Sequence, residues 1–195
     1  MPVTDRRIER MDRSPREQRG TPNSLLFQDA AIGRNSIYML VDAARDRRIY
    51  IRLMELGATV RARSLYQGDI GDHLAHVSPY LLPLREDQPE CRWFAEAGFG
   101  QSWGVFIIAP VGFDELRRHL RKFNIVYREN GTPLVFRFYD PRVLRRFLPT
   151  CTPDELRRFF GPIESFLTET EEADALLRFT LRGDELIQTR LPVQV

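Results

Sequence analysis

The sequence predicts an α/β domain in which a mixed or mostly parallel sheet is flanked by helices and carries a C-terminal antiparallel hairpin. Two continuous apolar runs, Ile37–Val41 and Trp103–Ala109, are typical of strands that are covered on both faces. Segments with apolar side chains at helical spacing lie between the predicted strands. From Leu176 onward the apolar period changes to two, which predicts the hairpin, with Gly183 and Asp184 at its turn.

Two helices are predicted from apolar side chains that recur every three or four residues. The first of these helices should end at Gly57, because glycine is common just after the last helical residue. The predicted apolar faces consist of Ile49, Leu53 and Leu56 in the first helix and of Phe113, Leu116, Leu120 and Phe123 in the second.

Two further helices are predicted from signals at their N-termini. Asp140 fits an N-cap, and Pro141 fits the first helical position, where an N–H would have no partner inside the helix. Thr152 and Glu155 are three residues apart and form the pattern of a capping box. This last helix should end at Gly161.

Weaker patterns complete the predicted organisation: short strands at Arg63–Tyr66 and Leu134–Tyr139, and a turn at Gly68–Asp72. Residues 1–24 are rich in arginine and have little to bury, which favours a disordered or loosely ordered arm. We therefore divide the chain into this arm, an α/β domain at 25–163 and a hairpin appendage at 164–195.

Composition excludes few function classes but favours a cytoplasmic protein. The formal net charge is +2, which is too small to predict a polyanion as partner. No apolar run approaches the roughly 18 residues of a membrane span. The first residues also lack the apolar core of a secretory signal. No membrane partner is expected.

No familiar catalytic motif occurs in the sequence, whether a Walker A loop, a G-x-S-x-G elbow or an H-E-x-x-H helix. His73 and His76 are three residues apart, with Asp69 and Asp72 nearby. Two imidazoles and a carboxylate can bind zinc, but the same spacing also fits two ordinary histidines on a helix surface. An α/β enzyme that uses His73, His76 or Cys91 therefore stays open as an alternative. We expect no catalytic residue, no metal and no cofactor.

Paired arginines raise a second alternative, a nucleic-acid-binding module. A basic helix face can neutralise phosphates, but solvated helix faces often carry the same pattern. Acidic residues precede two of the pairs, which suits the helix dipole, so no nucleic-acid partner is expected. The pairs are Arg117 and Arg118, Arg145 and Arg146, and Arg157 and Arg158.

The segment Pro133–Leu144, PLVFRFYDPRVL, carries a resemblance to a known family. With four other segments in the same order, it resembles the type VI secretion effector-chaperone family, whose shared domain is catalogued as a domain of unknown function. The resemblance runs from about Ile37 to about Ile163. The other segments are Ser78–Leu81, Trp103 with Gly104, the helix GFDELRRHLRKF, and Phe159–Pro162.

This resemblance implies an adaptor that binds a toxin effector, keeps it soluble and promotes its loading onto a VgrG-type spike protein. The expected partners are therefore the toxin effector and the spike. The family brings no catalytic residues to carry over.

Motif residues divide into expected partner contacts and expected structural positions. Arginine and tyrosine are favoured at interfaces, and Arg142 opposes the helix dipole at its predicted position, which suits an acidic partner. Arg137 could also pair with Asp140 or with another nearby carboxylate. The expected contacts are Arg137, Tyr139, Arg142 and Arg145, and the expected structural positions are Pro79, Tyr80, Trp103, Gly104, Asp140, Pro141, Phe160, Gly161 and Pro162.

Overall fold

The computed structural model describes residues 20–30, 35–57, 59–66 and 73–194, without the side chains of residues 29, 30, 90 and 91. The predicted turn at Gly68–Asp72 and most of the predicted arm lie outside the described residues. The described strands are β1 Ser36–Asp42, β2 Arg63–Ser64, β3 Pro79–Leu84, β4 Gly104–Ala109, β5 Ile125–Tyr127, β6 Pro133–Val135, β7 Ser165–Glu169, β8 Ala175–Arg182 and β9 Glu185–Pro192. The described α-helices are α1 Pro22–Ala30, α2 Arg47–Leu56, α3 Pro89–Ala97, α4 Phe113–Leu120, α5 Pro141–Phe147 and α6 Pro153–Phe160.

Seven of the strands form one sheet in the order β2-β3-β1-β4-β7-β8-β9. Each neighbouring pair in this sheet is antiparallel. The predicted α/β class, the flanking helices and the C-terminal hairpin are confirmed, whereas a mostly parallel sheet is not supported. A continuous apolar run reports burial on both faces of a strand, and it does not report the direction of the neighbouring strands.

Helices cover both faces of the sheet, so the central strands are buried on each side. On one face, Ile37, Met39 and Val41 of β1 pack in a core with side chains of α1, α2 and α3. On the other face, Tyr38 and Leu40 pack with side chains of α4, α5 and α6. The result is a three-layer arrangement of helix, sheet and helix.

Predicted helix ends agree with the structure. Gly57 follows α2 with a φ of 47°, a left-handed conformation that glycine adopts without a Cβ clash. Asp140 caps α5 by accepting from the backbone N–H of Arg142, and Pro141 is its first residue. Thr152 and Glu155 form the predicted capping box of α6.

The strand predicted at Leu134–Tyr139 is wrong over most of its length. Strand β6 ends at Val135 and pairs with β5 in a separate two-stranded ribbon. Phe138 and Tyr139 instead lie in a turn that leads into α5, and both are buried in the core. Aromatic packing in the core has displaced the strand here. The strand predicted at Arg63–Tyr66 is confirmed only over Arg63–Ser64.

Strands β8 and β9 form the predicted hairpin and continue the main sheet. Leu176 pairs with Leu191 within the hairpin, and β8 pairs with β7 on its other side. The domain boundaries at 24/25 and 163/164 stay predictions. Among the helices of the described residues, none has the length and apolar character needed to cross a bilayer.

Candidate functional site

The strand order places the ends of β1 and β7 beside the start of β4, at one end of the central strands. Strand β4 is antiparallel to both β1 and β7, so the last residues of β1 and β7 lie beside the first residue of β4. Asp42 ends β1, Glu169 ends β7, and Gly104 begins β4. Asp140, at the start of α5, joins this set: its charge acts on Asp42.

Asp42, Asp140 and Glu169 are buried carboxylates, exposed by only 1%, 4% and 8%. Each of them accepts at least one backbone N–H, from Ala44, Arg142, and Gly100 with Ser102 respectively. Buried carboxylates that are bonded to the backbone fix the loops around them. These three therefore form a rigid base for the site.

Glu169 organises the loop that leads into β4. Its side chain accepts from the backbone N–H of Gly100 at 2.6 Å, from the N–H of Ser102 at 2.8 Å and from the Ser102 hydroxyl at 3.1 Å. Burial raises the pKa of Glu169, and the bonds from Ser102 and Gly100 act in the opposite direction. Arg145 donates to the backbone carbonyl of Glu169 at 2.6 Å, so α5 is tied to the end of β7.

Asp42 is less completely partnered than the other two carboxylates. Its Oδ1 accepts from Ala44, and its Oδ2 is 3.9 Å from Arg137 Nη1, close enough for attraction but too far for a hydrogen bond. Among the described residues, the carboxylate that Arg137 pairs with is therefore Asp42, whereas Asp140, the partner named from the sequence, bonds Arg142. Burial raises the pKa of Asp42, and the Ala44 bond and the Arg137 charge oppose that shift.

Asp140 and Arg142 form a closely bonded pair at the start of α5. Arg142 donates to Oδ1 through Nε at 3.0 Å and to Oδ2 through Nη2 at 2.6 Å. Burial alone would raise the pKa of Asp140, but the bonds from Arg142 outweigh it and the pKa is lowered. The unfavourable interaction of Arg142 with the helix dipole is therefore offset by its ion pair with Asp140 of the same chain.

A cleft of about 860 Å³ is lined by two of these carboxylates, Asp140 and Glu169. We call it the arginine cleft, since Arg142, Arg145 and Arg146 of α5 line it together with Ser102 and Glu169. The Arg142 side chain is 51% exposed even though it bonds Asp140. Guanidinium groups held in place over a rigid base suit carboxylate or phosphate groups of a partner.

Tyr139 is at odds with the prediction that its ring contacts a partner. The residue is 1% exposed, and its hydroxyl is 3.3 Å from that of Tyr66. Burial raises the pKa of Tyr139, with the Tyr66 contact acting in the same direction. The ring packs against Phe138 inside the core, so its role in this structure is packing.

Residues predicted to be structural lie in the core or at its turns. Pro79 and Tyr80 begin β3, and the Tyr80 hydroxyl donates to Ala75 O at 2.9 Å. Trp103 is 2% exposed, and its backbone carbonyl accepts a hydrogen bond from the backbone N–H of Asp42 at 2.7 Å. A Cβ on Gly104 would lie 2.2 Å from Leu40 O, so this position requires glycine.

The segment that follows α6 also agrees with its predicted structural role. Phe160 is buried and packs edge-on against Phe166 of β7. Gly161 has a φ of 50°, and a Cβ there would lie 2.3 Å from the His119 ring. Pro162 follows at the turn and is half-buried. These residues join α6 to the sheet and lie outside the set that lines the arginine cleft.

Of the residues of the enzyme alternative, the structure describes the side chains of His73 and His76. His73 and His76 are both exposed, whereas Asp69, Asp72 and the Cys91 side chain lie outside the described residues. Within the described part of the chain, no three histidine, cysteine or carboxylate side chains are placed to hold a metal ion. Cys151 donates to Phe147 O, and burial raises the pKa of its thiol to about 11.

Arginine pairs on the helices are partly engaged within the chain. Arg117 donates twice to Ser64 O, and Arg157 pairs with Asp154 and Asp184. Arg145 bonds the end of β7, as described above. Arg118, Arg146 and Arg158 are exposed.

Comparison with protein-family models gives one match. The model described as "Domain of unknown function (DUF4123)" matches residues 37–158, which is more than half of the chain. The chain belongs to the DUF4123 family. Neither the curated proteins nor the solved structures include a significant match.

The DUF4123 match covers only part of the candidate site. Asp42, Asp140 and the arginines of α5 lie within the matched residues, whereas Glu169 on β7 lies beyond them. Sequence reasoning missed Glu169, Asp42 and Ser102 as members of the site. The available signal was that Asp42 ends an apolar strand, where a carboxylate is unusual.

Asp42 should make stability depend on pH. Because burial raises its pKa in the folded state, the folded chain holds the proton more tightly than the unfolded chain does. Stability should therefore fall as the pH rises from the unfolded pKa of about 3.9 through the raised folded pKa, by about 1.4 kcal/mol for each tenfold difference between the two acid dissociation constants. Asp42→Asn should flatten this fall, as measured by urea unfolding between about pH 4 and 8. Exposed Glu171→Gln is the control, and an identical pH profile for Asp42→Asn would contradict the prediction.

Proposed function

We propose that this chain is a cytoplasmic adaptor chaperone that binds a type VI secretion toxin effector and promotes its loading onto a VgrG-type spike protein. Two lines of support are available. The DUF4123 match covers residues 37–158, nearly the same segment whose motifs resemble the effector-chaperone family. The second line is the geometry of the arginine cleft.

That geometry is the observation on which the proposal depends. Two buried carboxylates that line the cleft, Asp140 and Glu169, are bonded to backbone N–H groups, and Asp140 is also bonded to Arg142, as an anchored framework requires. Of the three arginines, Arg142 and Arg145 bond Asp140 and the Glu169 carbonyl, whereas Arg146 lines the cleft and is exposed. A rigid base beside the exposed Arg146 favours binding of an acidic group of a partner protein there, away from the exposed carboxylate of Glu171 in the same cleft.

Binding should combine attraction at the cleft with burial of apolar client surface. A stable interface of ordinary size buries roughly 1,600 Å² in total, more than the cleft alone provides. The effector must later be released, so the affinity should lie within an intermediate range. A cytoplasmic location agrees with loading before secretion.

Charge reversal in the cleft tests this proposal. The double variant Arg142→Glu with Arg146→Glu should weaken binding to the effector encoded beside this chain by at least about tenfold, because like charges then face each other. Arg142→Glu also removes the two bonds to buried Asp140, so the single variant Arg146→Glu, which leaves those bonds intact, is measured beside the double variant. Binding is measured with purified proteins by calorimetry, and soluble effector yield is measured on co-expression.

The matched control reverses two exposed arginines elsewhere, Arg158→Glu with Arg182→Glu, and so changes the net charge equally. We expect this control to bind within about threefold of the wild type. Equal loss in both double variants would show only a general effect of net charge. Unchanged binding in the cleft variant would remove the cleft from the proposal.

A further inference from the structure

The ribbon of β5 and β6 exposes apolar side chains on both of its faces. By register, Ile125 and Val135 point to one face together with Tyr127, while Val126 and Leu134 point to the other. These five residues are 37–71% exposed. A two-stranded ribbon is marginally stable in water without a third strand or a packed face. The ribbon is thus an unusual feature of the described surface.

Within the described part of the chain, the ribbon has no third strand, and hydrogen-bond alternation shows which of its edges is suited to one. Phe136 N donates to Asn124 O and Arg128 N to Thr132 O, so the bonded positions on β5 are 124, 126 and 128. The backbone groups of Ile125 and Tyr127 consequently point away from β6. On the opposite edge, Pro133 offers no N–H, a device that blocks strand addition. Only the β5 edge presents a complete donor and acceptor pattern.

Charge around the ribbon selects the kind of occupant. Between residues 121 and 137 there are four basic side chains, Arg121, Lys122, Arg128 and Arg137, against one acidic side chain, Glu129. A second copy of this chain would bring the same positive surface against itself, which is unfavourable. A segment with acidic flanks would be attracted.

We infer that the β5 edge accepts an extended segment of the client protein, with alternating apolar residues and acidic flanks, as a third strand of the ribbon. This inference rests on the proposed function, and it adds a second docking surface to the arginine cleft. Main-chain bonds to Ile125 and Tyr127 supply affinity, and the apolar face formed by Ile125, Tyr127 and Val135 supplies side-chain contacts.

A titration of the full chain followed by amide NMR tests the inference. The probe is a nine-residue peptide with valine and threonine alternating between two glutamates at each end. We expect shifts at residues 124–128 and 133–136, and binding at least tenfold weaker for the same peptide with lysines at its ends. Shifts elsewhere, no binding, or equal binding of the lysine peptide would overturn the inference.

Two substitutions at one position separate strand addition from simple ring contact. Tyr127→Pro removes the outward N–H without breaking a bond to β6, whereas Tyr127→Thr keeps that N–H and removes the ring. We expect binding to be at least tenfold weaker in Tyr127→Pro than in Tyr127→Thr, with intra-ribbon contacts retained in both. Equal affinities, or ribbon shifts that grow with protein concentration alone, would overturn the inference.

Failure here is distinguishable from failure of the proposed function. The peptide assay uses no secretion component, so a bound peptide with no effector or spike partner would contradict the secretion role and leave the docking edge intact. Effector binding with no peptide response would contradict the docking edge alone.

Discussion

Gly104→Ala should destabilise the chain by about 3–5 kcal/mol or prevent its folding. A Cβ at this position would lie 2.2 Å from Leu40 O and 2.8 Å from Val41 Cα, and both of these atoms belong to the backbone. Backbone atoms cannot rotate away as the end of a side chain can. The pairing of β1 with β4 at the centre of the sheet would therefore have to shift.

Urea unfolding of Gly104→Ala, with soluble yield as the second measurement, checks this expectation. Gly112→Ala is the matched control, because a Cβ there meets no atom within 4 Å. We expect Gly112→Ala to lower the free energy of unfolding by about 1 kcal/mol, the usual effect of a substitution at a helix N-cap. Stability of Gly104→Ala within about 1 kcal/mol of the wild type would show that the two strands do not approach each other as described.

Glu169→Gln should cost about 2–3 kcal/mol and loosen the loop before β4. The carboxylate accepts from two backbone N–H groups and one hydroxyl, all on Gly100 and Ser102. Glutamine has the same shape but turns one acceptor into a donor, so one loop N–H would face an NH₂ group. That N–H would lose its hydrogen-bond acceptor at a part-buried position.

Hydrogen exchange at Gly100 and Ser102 measures this effect directly, together with the free energy of unfolding. Glu171→Gln, at an exposed position on the same cleft, controls for the loss of charge. We expect faster exchange at both amides in Glu169→Gln and no change in the control. Identical exchange in the two variants would mean that Glu169 does not hold the loop.

Local signals were enough to predict elements whose caps or turns lie in one short segment. Asp140 with Pro141 and Thr152 with Glu155 identified two helix starts, because a cap and its amide partners are a few residues apart. The alternation after Leu176 identified the hairpin for the same reason.

Elements with weak or conflicting patterns were missed. Strand β3 contains Pro79 and Pro83, which argue locally against a strand, although it lies inside the sheet between β2 and β1. The sequence of strand β7 mixes polar and apolar residues, although all five of them are buried. Here burial in the assembled sheet outweighs local propensity.

The site was only half predictable, again for a physical reason. Arg142 and Arg145 were chosen from their residue types and their place in a motif, and both line the cleft. Asp42, Ser102 and Glu169 meet them only through the order of β1, β4 and β7, which no local pattern encodes. Tyr139 was chosen from residue type too, and its burial shows the limit of that reasoning.

Affinity purification of the tagged chain from its native host, with partners identified by mass spectrometry, tests the central claim most directly. The account predicts that a toxin effector and a VgrG-type spike protein are recovered with the wild type and are depleted at least about tenfold with Arg142→Glu and Arg146→Glu. Recovery of neither protein above an untagged control, from cells in which the chain is folded and abundant, would contradict it.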